Sequence, residues 1–180
     1  MQLYATESSD KSDKTLPKTS QVIGTIMIVY TILTALCTLL LYFSELNMFE
    51  SLTFSMATIP TGGFAPRNSS AMELSALSQW ILIVFMFISG MPLLVSYFLF
   101  KKNWRHVQND IQIRTYTYFF LFSVFILSLY LIITRDVPLF DSIRFAAFNF
   151  ISVVTSSGFV NSDIESWGNF AVMFLSLIHI

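Results

Sequence analysis

Long apolar runs alternate with short ones along this chain, and the lengths of the runs predict the elements. Residues 1–20 are polar, with Ser8-Ser9-Asp10-Lys11-Ser12-Asp13-Lys14 at their centre, and read as an exposed segment. No charged residue occurs from Thr19 to Ser44. A helix over 21–43 would be roughly 35 Å long, enough to cross a hydrocarbon core of about 30 Å. The second uncharged window, Leu74 to Phe100, predicts a spanning helix over 78–100. The third, Thr115 to Thr134, predicts a span over 115–134 of minimal length. A last apolar stretch, 167–180, predicts part of a fourth.

Two shorter apolar stretches lie between these spans, over 47–58 and 140–153. A helix of such a length covers roughly 18 Å and cannot cross. Each has an acidic residue near its start, Glu50 and Asp141, which favours a helix N-terminus there. Pro60 lacks an N–H and disfavours helical geometry at Ile59, so the first short helix should stop near Thr58. The alternative for each stretch is an interfacial helix or a buried helix of a soluble core, and the recurrence of the same turn after both argues against it.

The two short helices are followed by matching turns. Ile59-Pro60-Thr61-Gly62-Gly63-Phe64 recurs as Val154-Thr155-Ser156-Ser157-Gly158-Phe159, 95 residues later. A lone Thr-Gly-Gly or Ser-Ser-Gly is usually just a turn. Two of them, each after a half-length helix between spans, form the pattern of a cation pore. The expected architecture is therefore an all-α membrane protein of tandem helix–pore-loop–helix repeats, potassium-channel-like and incomplete. One repeat covers 21–100, and a truncated one covers 115–180.

Composition agrees with a bilayer setting. The chain is 54% hydrophobic and 12% charged, with a mean hydropathy of +0.66, against about 25% charge in an ordinary soluble domain. The formal net charge of −1 gives no sign of nucleic-acid binding. Cys37 is the only cysteine, which excludes an intrachain disulfide. Charge asymmetry sets the orientation. Lys11, Lys14, Lys18, Lys101, Lys102, Arg105 and Arg114 fall on the side of the N-terminal segment and the 101–114 loop. That side is expected to be cytoplasmic, with both turns toward the outer face.

The chemistry expected at the turns is that of a filter. Backbone carbonyls of Pro60, Thr61, Gly62 and Gly63, and of Thr155, Ser156, Ser157 and Gly158, could replace water around an ion. Aiming several carbonyls one way needs alternating or positive φ, which Gly62, Gly63 and Gly158 permit. The hydroxyls of Thr61, Ser156 and Ser157 could ligate the ion or brace the loop. Neither turn holds a carboxylate, which suits a monovalent ion better than Mg²⁺ or Ca²⁺. An inward-pointing helix C-terminus adds roughly half an elementary negative charge.

These residues resemble the TrkH family within the Trk/Ktr/HKT potassium transporter superfamily. The likeness rests on Met1-Gln2-Leu3-Tyr4 before a charged linker, on 54–64 (FSMATIPTGGF) and on 150–159 (FISVVTSSGF). It covers essentially the whole chain and places it in the second and most of the third of four span–pore–span units. The resemblance implies that Gly63 and Gly158 are the key filter glycines, that K⁺ is the transported ion and that no cofactor is held covalently. It also implies a homodimer of full-length subunits in the cytoplasmic (inner) membrane. A cytosolic TrkA-like regulatory subunit that binds NAD or adenine nucleotides would complete the assembly. Met1 would then be an internal methionine. Pro60 departs from the small or β-branched residue expected at its position. The last six residues, Leu175 to Ile180, also resemble the translation of a transposase sequencing adapter, which would leave His179 without a role.

Other features read as ordinary. Pro92 after Gly90 reads as a packing kink in the second span. Phe64 and Phe159 are expected to wedge their loops against neighbouring helices. Asp163 reads as a solvated carboxylate near the outer mouth. An intramembrane serine hydrolase using Ser156 or Ser157 needs a general base. The only histidines are His106, in the cytoplasmic loop, and His179. A non-conducting scaffold would leave the duplicated turns without a purpose.

Overall fold

The structure, a computed structural model, describes residues 19–91 and 110–179, and all regular structure among them is helical. Helix α1 runs Thr19–Phe43. Helix α2, Met48–Thr58, starts where the Asn47 side chain accepts the Glu50 N–H at 2.8 Å. Helix α3 runs Ala76–Ser89 and is capped by Ser75. Helix α4 occupies Ile111–Arg135. It starts ahead of the uncharged window because Asp110 caps it, accepting the Gln112 N–H at 2.8 Å, and it runs straight through Arg114. Helix α5 is Leu139–Val154, with Pro138 at its N-cap. A single 3₁₀ turn, Glu165–Trp167, leads into α6, Asn169–His179.

Two of these helices, Ile23–Phe43 within α1 and α4, are long and apolar enough to cross a membrane. The expected helix over 78–100 is not continuous: α3 ends at Ser89 with Gly90 as its C-cap, while Pro92 and the 92–100 stretch lie outside the described residues. The same holds for 1–18 and 101–109, including His106.

Helices α1, α2 and α3 pack on one another, and α5 packs on both α4 and α6. The two groups meet where α3 lies against α5. The interior holds Phe54, Leu82, Met86, Phe148, Phe150 and Phe159, all under 2% exposed. It also holds an unusual number of polar groups, among them Ser51, Ser55, Thr58, Gln79, Asn149, Ser152 and Asn161. The outer faces of the long helices carry Met27, Ile32 and Leu36 on α1, and Phe122, Phe125 and Ile133 on α4. Polar groups paired within an apolar interior, and large apolar side chains on the outer faces, suit hydrocarbon rather than water. Several helix hydroxyls are satisfied locally: Thr34, Thr38, Ser55 and Thr58 each donate to the carbonyl four residues back, at 2.6–2.8 Å.

Candidate ion-filter loops

Both short helices end in the same way, and the first difference between them traces to Pro60. Thr155 donates its N–H to Ile151 O at 2.9 Å, so α5 continues through Val154. Pro60, 95 positions earlier, has no N–H to donate, and α2 stops at Thr58 with Ile59 as its C-cap. The backbones then converge. Thr61 has φ +56° and Ser156 +58°, while Gly63 has φ +69° and Gly158 +72°. The proline therefore shortens the helix without displacing the turn.

The left-handed residues are 61 and 63, and again 156 and 158. Positive φ thus alternates along 60–63, and Gly62 is not among the left-handed residues. At the same position the second loop has Ser157, so nothing there requires glycine. The strain lies instead on Thr61 and Ser156, which have a Cβ. For a β-branched threonine a positive φ is a true outlier and costs about 1–3 kcal/mol. Such strain persists only where surrounding bonds hold it. Here Thr61 N–H reaches Thr58 O at 3.2 Å, and Gly62 and Gly63 N–H both reach Ala57 O, at 2.7 and 3.3 Å. In the second loop Ser156 N–H reaches Val153 O at 3.1 Å, and Gly158 N–H reaches Ser152 O at 3.4 Å.

The two loops touch. A Cβ built on Gly63 would lie 1.6 Å from the Ser157 carbonyl oxygen and 2.8 Å from its carbon. The Ser157 carbonyl thus occupies the space that any side chain at 63 would need. Gly158 has nothing within 4 Å of the equivalent position among the described residues. Ser157 is buried, whereas Pro60, Gly62, Ser156 and Gly158 are exposed and Thr61, Gly63 and Thr155 are half-buried. The Ser157 hydroxyl lies 2.7 Å from Thr155 Oγ1, which also reaches Ile151 O at 2.8 Å. These two hydroxyls brace the loop, and the neighbour of Ser157 Oγ is a hydroxyl rather than an imidazole.

The phenylalanines that follow have different surroundings. Phe159 is 1% exposed and packs on Phe54 of α2, with ring centroids 5.8 Å apart. Phe64 is 78% exposed and wedges against nothing comparable among the described residues. Phe159 lies between the two helix groups, bonded through its carbonyl to Ser152 of α5 and packed on Phe54 of α2.

Several supports escaped the sequence reading. Ser152, 1% exposed, donates to Phe159 O at 2.7 Å and so ties the exit of the second loop to α5. Ser89 donates to Thr58 O at 3.3 Å, from the end of α3 to the base of the first loop. Gly90 lies against the second loop, since a Cβ there would be 2.6 Å from both Thr155 Cγ2 and Tyr116 Oη. Arg67 grips Glu50 with two hydrogen bonds, of 2.7 and 2.9 Å, joining the exit of the first loop to the first turn of α2. That guanidinium holds the Glu50 carboxyl below the usual carboxylate range. Asp163 caps the 3₁₀ turn by accepting the Glu165 N–H at 3.1 Å. The only foretaste of these supports in the sequence is the presence of Ser, Asn and Gln in runs otherwise apolar. Among the described residues no group of three His, Cys, Asp or Glu side chains could hold a metal ion. The oxygens on offer at the loops are carbonyls and hydroxyls.

No protein-family model matches the chain. It is 26% identical to the Trk system potassium uptake protein TrkI of Halomonas elongata over 170 residues, covering 93% of this chain and 34% of that protein. It is 29% identical to the Trk system potassium uptake protein TrkH of Escherichia coli K12 over 183 residues, covering 97% and 37%. An uncharacterized cation transporter of Methanocaldococcus jannaschii is 30% identical, over 98% of this chain and 35% of that protein. The chain thus spans about a third of the length of the curated relatives it matches. Among solved structures, the potassium transporter TrkH from Vibrio parahaemolyticus superposes with a TM-score of 0.83 at 21% identity, over 91% of this chain and 36% of that one. That superposition establishes the fold, tandem helix–pore-loop–helix units.

Proposed function

This chain has the sequence character and fold of the TrkH family over nearly its whole length, and from that premise we propose that it forms part of a potassium uptake pathway. The residues 60–63 and 155–158 supply two strands of a carbonyl-lined filter. K⁺ is the transported ion, and it moves inward down its electrochemical gradient. The single observation that supports this most is the pairing of the loops. They share a left-handed backbone at equivalent positions, including two non-glycine residues, and they meet where the Ser157 carbonyl faces Gly63. Strain repeated at matched positions favours a role that needs an aimed backbone.

The remaining parts of the reading follow the family. The segment lies in the cytoplasmic membrane with 1–20 and 101–114 on the inner side. The intact subunit pairs as a homodimer and takes its regulation from a cytosolic TrkA-like nucleotide-binding subunit. Two loops leave part of an ion's surroundings open, so the segment by itself does not conduct.

The test is complementation. The intact transporter containing these residues should restore growth of a potassium-uptake-deficient bacterium at low potassium. Gly158→Leu, at φ +72°, should abolish or degrade that growth at equal membrane abundance. Growth and K⁺/Na⁺ preference equal to wild type in Gly158→Leu would remove the loops from the ion site.

A further inference from the structure

A buried relay of amides joins the two repeats just past the second loop. Gln79 of α3 is 3% exposed, Asn161 4% and Asn149 of α5 0%. Gln79 Nε2 donates to Ala71 O at 3.2 Å and to Leu74 O at 3.1 Å. Carbonyls only accept, so this end of the relay must be the NH₂. Gln79 Oε1 therefore faces Asn161, and it accepts Asn161 Nδ2 at 3.0 Å. Asn161 Oδ1 in turn accepts Asn149 Nδ2 at 2.6 Å. Asn149 Nδ2 also lies 3.0 Å from Phe145 O, another obligate acceptor. Backbone carbonyls at both ends thus set the direction of all three amides, and no flip is tolerated.

Backbone bonds reinforce the same junction. Ala71 N–H donates to Val160 O at 2.9 Å, and Val160 N–H donates to Ser70 Oγ at 3.1 Å. Ser70 presents its hydroxyl from a left-handed backbone, φ +54°. Residues 160 and 161, two and three positions after Gly158, are held by residues 70, 71 and 79 of the other repeat. On the first loop's side the clasp engages farther on, at Ser70 and Ala71. The exit of the first loop is held within its own repeat by Arg67 on Glu50.

We propose that Gln79 and Asn161 are positioning residues for ion discrimination. They hold the exit of the second loop against the first repeat and so set the spacing between the Ser157 carbonyl and Gly63. This rests on the reading of the loops as an ion filter. Carbonyls distinguish monovalent cations of different size only if they resist closing on the smaller one. A loop anchored solely at its helix end can close. A loop anchored at both ends by buried hydrogen bonds cannot do so without leaving amides unpaired in an apolar interior.

The experiment uses the intact transporter in proteoliposomes and measures Rb⁺ uptake against competing Na⁺. Gln79→Leu keeps the volume and removes both donors and the acceptor. K⁺-type over Na⁺ discrimination should fall roughly tenfold, the factor that 1.4 kcal/mol of lost preference produces, while uptake itself persists. Ser70→Ala removes one bond from a half-buried hydroxyl and should shift discrimination the same way by a smaller factor. It decides the matter if Gln79→Leu does not reach the membrane. Unchanged discrimination, or uptake that falls only in step with protein abundance, overturns the positioning role. Gly158→Leu separates the two readings. Intact discrimination in that variant defeats the filter itself, whereas its loss alongside unchanged Gln79→Leu and Ser70→Ala defeats only the clasp.

Discussion

Gly63→Ala is the substitution whose cost follows most directly from the geometry. The new methyl would start 1.6 Å from the Ser157 carbonyl oxygen, and that oxygen belongs to backbone rather than to a side chain that could swing aside. Ordinary contact requires at least about 3.2 Å, so one loop must move by roughly 1.6 Å. Three hydrogen bonds oppose the movement: Gly62 and Gly63 N–H on Ala57 O, and Gly158 N–H on Ser152 O. Losing one or two costs about 0.5–1.5 kcal/mol each. Alanine at φ +69° adds about 1–2 kcal/mol. The total is roughly 1.5–5 kcal/mol, which corresponds to a factor of about 10 to 4000 in the population of the native loop pair. Rb⁺ uptake by the intact transporter, normalised to membrane abundance, should fall within that range. Gly62→Ala is the internal control. It lies one residue away without a positive φ, and its Cβ would meet only ordinary contacts of 3.6 Å or more. It should lose less than tenfold. Wild-type uptake and K⁺/Na⁺ preference in Gly63→Ala, or equal losses in both variants, would refute the argument from the loop contact.

Three further outcomes are expected. Ser152→Ala leaves the Phe159 carbonyl without its buried donor and should cost about 1–3 kcal/mol, read as a lowered Tm of the detergent-purified transporter. Gly90→Ala places a methyl 2.6 Å from Thr155 Cγ2 and Tyr116 Oη; it should lower the Tm by an amount equivalent to about 1–3 kcal/mol, and Tyr116→Phe should recover part of it. The Glu50–Arg67 pair should make the protein acid-sensitive. Because Arg67 lowers the folded-state pKa of Glu50 below 4.5, the pair's contribution of about 1 kcal/mol is complete above that value. It is lost as pH falls through the folded-state pKa. The Tm of Glu50→Gln should therefore decline less than that of wild type over the same acid range.

Element type and order were legible because the signals are local. Run length separates a helix that can cross from one that cannot, and Pro60 marks a helix end through its own missing N–H. The recurrence after 95 residues marks both loops in the sequence itself. Within the loops the alternation of φ was expected from the glycines, and Thr61 and Ser156 also take left-handed backbone at matched positions. Intrinsic preference argues against it, and hydrogen bonds back to α2 and α5 impose it. The start of α4 lies four residues ahead of the uncharged window, because the capping carboxylate of Asp110 sets it rather than the charge of Arg114.

What the sequence by itself determined is the alternation of long and short apolar stretches, the stop of α2 beside Pro60 and the duplication of the turn. Each depends on residues close together in the chain: apolar run length, a cap, a proline, a glycine. Only the tertiary structure decided that the two loops touch, that Phe159 is buried while Phe64 is not, and that Gln79 reaches Asn161 across 82 residues. Those facts depend on α3 packing against α5. The sites of that contact are spelled by single Ser, Asn and Gln residues scattered through apolar runs. In sequence such residues look alike, and only packing reveals which buried amide has another amide waiting for it.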